Sequence, residues 1–148
     1  MLQATNPDLV TQLRADAEVL SVSFAAAAAD PRGFAARFYA RLFELAPAAR
    51  ELFPAELQSQ QEKFAQTIAT IIGFVDDPAT LIGGLRRLGA RHVAYGTQPQ
   101  HYALVGEALL WSLERAHPGG LPGDARAAWL RLYGWIVSEM IQGARGAD

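Results

Sequence analysis

Three histidines, His92, His101 and His117, hold the strong metal-ligating chemistry of this chain, because it has no cysteine. Without thiols, disulfides, zinc–thiolate sites, iron–sulfur clusters and cysteine nucleophiles are excluded. The histidines do not make a zinc set. No two stand at the i, i+4 spacing that puts two imidazoles on one helical face, and there is no HExxH. His117 precedes Pro118-Gly119-Gly120 and reads as a solvated loop residue. His101 falls in the first turn of a helix beside Tyr102 and is expected to be exposed. His92 follows Leu85, Leu88 and Ala90 near the end of an apolar-faced helix, with Gly96 soon after. Its position alone leaves a structural histidine and a metal ligand both open.

Helices must position these side chains, and the helical signals are dense. Asn6-Pro7, Asp30-Pro31 and Asp77-Pro78 each place a capping side chain before a proline, whose missing N–H costs nothing at the first helical position. Pro99 and Pro122 can open two more helices. Phe64, Ile68, Ile71, Ile72 and Val75 form one apolar stripe at a 3.6-residue period. Trp129, Leu132, Tyr133, Ile136 and Met140 form a second, and Phe34, Phe38 and Leu42 a third. Trp129, Tyr133, Trp135 and Trp111 are read as core and interface residues. The spacing predicts helices over 7–28, 31–45, 58–75, 78–94, 99–116 and 123–143, with loop or short turns over 46–57 and a break over 117–123. Strand-type alternation, internal repeats and linkers are missing, so a single all-α domain over 1–148 is expected.

Composition bounds the partners. Hydrophobic residues make up 51% of 148 residues and charged residues 19%, enough for a real core. The net charge is −2, with no basic excess for nucleic acid and no polybasic run for an anionic membrane. No apolar run reaches the ~18 residues of a membrane-spanning helix. The first twenty residues lack a basic and then an apolar region, so no signal peptide and a cytoplasmic location are expected.

A longer pattern surrounds His92. Arg91-His92-Val93-Ala94-Tyr95-Gly96 leads to Pro99, then His101-Tyr102 and Val105-Gly106-Glu107-Ala108-Leu109-Leu110. Upstream stand Phe38-Tyr39, Leu42-Phe43, Pro47, Leu52-Phe53 and Gln60-Gln61-Glu62-Lys63-Phe64; downstream stand Trp129 and Tyr133-Gly134. In this order, over nearly the whole chain, the set resembles the bacterial single-domain globins, the globin domain of flavohaemoglobins and the neuroglobins.

The resemblance implies a globin fold of about six to eight helices, in a three-over-three sandwich around haem b (iron protoporphyrin IX). It implies that His92 is the axial iron ligand and that Phe53 packs on the haem. Tyr39 and Gln60 then face the gas, with Gln61 an adjacent rival for Gln60, and Phe64 lies one turn further along. Ile68, Leu88 and Val105 fall on the same pocket, and Tyr102 orients the proximal side. Lys63 and Arg91 lie where each can reach a propionate; solvated surface charge is the equal alternative for both. For Tyr39 the alternative is a core tyrosine whose hydroxyl finds a backbone carbonyl, and for Gln60 an exposed helix residue. A neutral His92 should donate its second ring nitrogen to the carbonyl near Leu88, one turn back.

The expected function is reversible binding of O2, with CO and NO as further ligands, at a five-coordinate ferrous iron. Tyr39 and Gln60 would stabilise the charge that builds on O2. Second comes nitric oxide dioxygenation, with electrons from a separate NAD(P)H-dependent reductase, since no reductase domain is read in the chain. A haem-based gas sensor is third. One departure is that Ala144 falls where flavohaemoglobins carry a glutamate on the last helix, and Glu139, earlier in that helix, is no obvious substitute. The chain is expected to be a monomer or a homodimer.

Overall fold

A computed structural model describes residues 7–146. Among them it forms six α-helices and one 3-10 helix, and no strand. The α-helices are α1 (Pro7–Ala28), α2 (Pro31–Leu45), α3 (Gln58–Gly73), α4 (Ala79–Ala94), α5 (Pro99–Ala116) and α6 (Gly123–Gly146). The 3-10 helix, Pro47–Leu52, occupies the segment expected to hold loop or short turns.

Local chemistry accounts for most boundaries. Asp30 caps α2, its carboxylate accepting the Gly33 backbone N–H at 3.1 Å, with Pro31 behind it. The Asn6 cap lies outside the described residues. Three ends differ from expectation. α3 stops at Gly73, two residues early, because Phe74 turns back and donates its N–H to the Ile71 carbonyl. α4 starts at Ala79 because Pro78 takes the capping position; the Asp77 carboxylate accepts the Thr80 hydroxyl at 2.6 Å instead of a backbone N–H. α6 runs on to Gly146, three residues further than expected, because Gly143 serves a close helix contact and does not end the helix.

Two packed groups build the sandwich. α2 lies against α3 and α5, and α6 lies against α1 and α4. α1, which also touches α2, α3 and α5, joins the two groups into one all-α body, as expected. Where the first group meets α1 and α6, Phe24 packs edge-on to Phe34 at 5.9 Å and tilted to Trp129 at 6.0 Å. The buried Trp129 indole donates to Ser23 Oγ at 2.9 Å, so this polar tip is satisfied inside the core.

The α4–α6 contact is closer than side chains usually permit. A Cβ on Gly89 would collide with the Met140 backbone, and one on Gly143 with the Arg86 backbone. Two reciprocal glycines thus let the two backbones touch. Beside them Arg86 donates from Nε to Glu139 at 3.0 Å and from Nη2 to Gln142 at 3.1 Å. By contrast α3 and α4 share no extended packing contact. The two helices with the principal candidate residues therefore stand apart, each braced from behind.

Candidate functional site

His92 sits in the last turn of α4. Its Nδ1 donates to the Leu88 carbonyl at 2.8 Å, the bond expected one turn back. Nε2 has no hydrogen-bond partner among the described residues. Burial pushes the imidazole pKa below its ordinary value and the nearby Arg91 charge pushes it further down, against an opposing effect of the Leu88 bond. These effects favour the neutral ring, the form in which an imidazole ligates a metal. Tyr95, exposed, meets it edge-on at 5.7 Å.

The candidates from α2 and α3 come together with Phe53, which follows the 3-10 helix, as an aromatic cluster. Tyr39, only 7% exposed, lies edge-on to Phe53 at 5.5 Å and to Phe64 at 5.9 Å. Phe64 stacks on Phe38 at 3.9 Å. Tyr39 Oη donates to the Gln60 backbone carbonyl at 3.4 Å, so the two predicted gas-facing residues are neighbours. Burial raises the Tyr39 pKa to about 12, which keeps the phenol protonated and a donor. Arg50 holds the corner beneath Phe53, donating to the carbonyls of Pro54 and Ala55 at 2.9 Å.

The remaining candidates divide between the two sides. Ile68 is buried in α3; Leu88, Tyr102 and Val105 are half-buried against the core. The Tyr102 carbonyl accepts the Tyr133 hydroxyl, which ties α5 to α6. Lys63 and Arg91 are exposed and form no ion pair among the described residues.

His101 differs from expectation. It is half-buried, and its Nδ1 accepts the Gln98 backbone N–H at 2.9 Å, closing the start of α5. His117, also half-buried, ends that helix. Among the described residues no group of three or more His, Asp or Glu is placed to hold a metal ion, and no helix is long and apolar enough to cross a membrane.

One residue was undervalued at the level of sequence. Glu139 is 2% exposed and bonded to Arg86, six residues before His92 on the same helix. The available signal was an acid set within the apolar stripe of Trp135, Ile136 and Met140, since a charge in such a stripe requires a buried partner.

Comparisons with known proteins agree with this architecture. The family model described as Globin matches residues 36–140. Neuroglobin-2 of Oncorhynchus mykiss is 34% identical over 119 residues, covering 71% of this chain and 75% of its own. The flavohemoprotein of Chromobacterium violaceum is 31% identical over 107 residues, covering 70% of this chain but 26% of its own, so the match spans about a quarter of that relative. A bacterial globin from Campylobacter jejuni superposes with a TM-score of 0.71 at 18% identity, covering 95% of this chain and 97% of its own. Ferric Aplysia limacina myoglobin superposes with a TM-score of 0.76, also at 18% identity, covering 90% and 97%. The chain belongs to the globin family, and so to the proteins that bind gases at a haem.

Proposed function

We propose that this globin binds O2 reversibly, through haem b ligated by His92 Nε2. The residues fit such a group. Haem is an apolar disc with two carboxylates at one edge, so it needs apolar walls, a nitrogen donor and cations at the rim. Phe53, Phe64, Leu88, Tyr102 and Val105 pack on the core yet keep part of their surface open. Lys63 and Arg91, without an ion pair among the described residues, are cations suited to propionates. The observation that carries the reading is His92: one ring nitrogen is engaged by its own helix, the other has no partner among the described residues, and α4 stands away from α3.

Haem, when bound, supplies a ferrous iron at which a diatomic gas adds reversibly. Tyr39, whose phenol now donates to the Gln60 carbonyl, would be the hydrogen-bond donor to the gas, and the Gln60 amide a second one. Such donors would favour a ligand that gathers negative charge, as O2 does, over one that gathers little, as CO does. Phe64 narrows the space and keeps water out. Glutamine is a poor metal ligand, so Gln60 would not compete with the gas. His92 leans on a carbonyl and not on a carboxylate, which favours reversible binding over oxidative chemistry.

The test is an absorption spectrum of the purified protein, reduced and then exposed to air and to CO, beside that of His92→Ala. The expected result is a ferrous haem spectrum that shifts with each gas, lost or grossly altered in the variant. A protein that refuses haemin, or a variant with unchanged ferrous and CO spectra, overturns the assignment.

Similarity to flavohemoproteins favours a second reading, dioxygenation of nitric oxide. The balance is NO + O2 + one electron giving nitrate, with the electron from a separate NAD(P)H-dependent reductase. The same donors, Tyr39 and Gln60, serve it. Sustained NADH-linked nitrate formation with a reductase supports this reading; a single oxidation followed by slow re-reduction supports O2 binding alone.

A further inference from the structure

The outer face of α5 carries a pattern that neither the fold nor the gas site requires. Glu107, Trp111 and Arg115 stand at i, i+4 and i+8, one ridge of the helix. Trp111, half-buried, lies between two guanidinium groups, Arg115 at 4.4 Å and Arg41 of α2 at 5.5 Å from its centroid. Other charges nearby are spoken for: Arg126 pairs with Glu114 at 3.4 Å, and Arg41 with Glu44 at 3.3 Å. Glu107 and Arg115 are exposed and form no ion pair among the described residues. Alongside, a groove of about 620 Å³ runs between α5 and α6, walled by Tyr133 and by Leu130, which is 52% exposed.

The ridge has a symmetry of its own. Glu107 and Arg115 lie equally far on either side of Trp111, about 6 Å each along the axis at 1.5 Å per residue. When two such i±4 ridges lie side by side, the helices cross at about −50°. Turning one copy over about a twofold axis at Trp111 brings each Glu107 opposite the partner's Arg115. The two unpaired charges are then both satisfied, by one operation. A contact of this type is closed and self-complementary, which heterologous partners do not need to be.

We propose that this face docks a second copy of the chain, α5 crossing α5 antiparallel at Trp111, with Glu107 of each copy paired to the partner's Arg115. Trp111 and Leu130 supply the apolar centre, and the charges fix orientation and exclude other registers.

The test is sedimentation equilibrium of the haemin-supplemented protein over roughly 1 µM to 1 mM. The wild type should dimerise, less so in high salt. Glu107→Arg and Arg115→Glu should each weaken self-association by at least about tenfold, because each creates two like-charge pairs across the axis. An equimolar mixture of the two variants restores opposite charges at both contacts, so it should dimerise within about threefold of wild type. That recovery also shows that both variants are folded. A wild type monomeric throughout, single variants that dimerise unchanged, or a mixture that stays as weak as its components overturns the proposal.

Discussion

A phenol has one proton to give, and in Tyr39 it is directed at the Gln60 carbonyl over 3.4 Å, long for a bond between oxygens. So loose a bond is easily exchanged for a better acceptor. Tyr39→Phe should therefore speed O2 dissociation by about 10- to 150-fold, the equivalent of about 1.5–3 kcal/mol for a hydrogen bond to a charged acceptor. CO dissociation should change far less. Stopped-flow or flash photolysis reads both, and an O2 off-rate that does not move means that the hydroxyl never leaves the carbonyl. At this scale the sequence was legible where geometry is local. The His92–Leu88 bond follows from helical pitch alone, and the structure has it at 2.8 Å. The carbonyl end of the Tyr39 bond was foreseen only as an alternative, and the Arg86–Glu139 pair not at all. Partners 53 residues apart are chosen by how helices pack, which no local spacing encodes.

Helix by helix, the contrast among glycines of α4 yields a sharper expectation. Gly89 faces the Met140 backbone, which cannot move aside as a side chain would, whereas Gly83 has only the tip of Arg87 near its would-be Cβ. Gly89→Ala should force α4 off α6 and cost about 1–3 kcal/mol or more. Gly83→Ala should be neutral or stabilising by about 0.5–1 kcal/mol, since alanine is the better helix former. Urea midpoints of the two variants compare them directly. If the two variants respond alike, the backbone contact is not as close as described. Helix existence was legible, because proline caps and apolar stripes are local signals; α1, α2 and α5 have the expected bounds. The ends of α3, α4 and α6 were not, because each is decided by a turn or a neighbouring helix. Gly143 shows why: read along the chain it looks like a stop, and against Arg86 it is a notch.

Over the whole molecule, the first and last helices are joined by Asp16 and Arg131. The guanidinium meets both carboxylate oxygens, at 2.8 and 2.9 Å. That bond, with help from Gln12, holds the Asp16 pKa below its ordinary value, outweighing the opposing effect of burial. A depressed carboxyl contributes stability above the unfolded pKa and loses it as pH falls through the folded one. Asp16→Asn should therefore cost about 1–2 kcal/mol at pH 7, and the gap from wild type should close below about pH 4. Denaturant midpoints at several pH values check this; a gap independent of pH would mean that the carboxylate charge is not what matters. The order of motifs along the chain revealed the family, but this clasp, spanning 115 residues, was invisible in it. A last consequence concerns the molecule's supply of protons. An amide carbonyl takes up no proton at any ordinary pH, so the partner that Leu88 offers His92 locks the imidazole in one tautomer and provides no acid–base reservoir behind it. With iron on His92 and the gas facing Tyr39, as proposed above, protons consumed there would have to arrive past Phe64 from the Tyr39 side, so the pace of such chemistry should follow how readily water reaches that side and not any relay through α4.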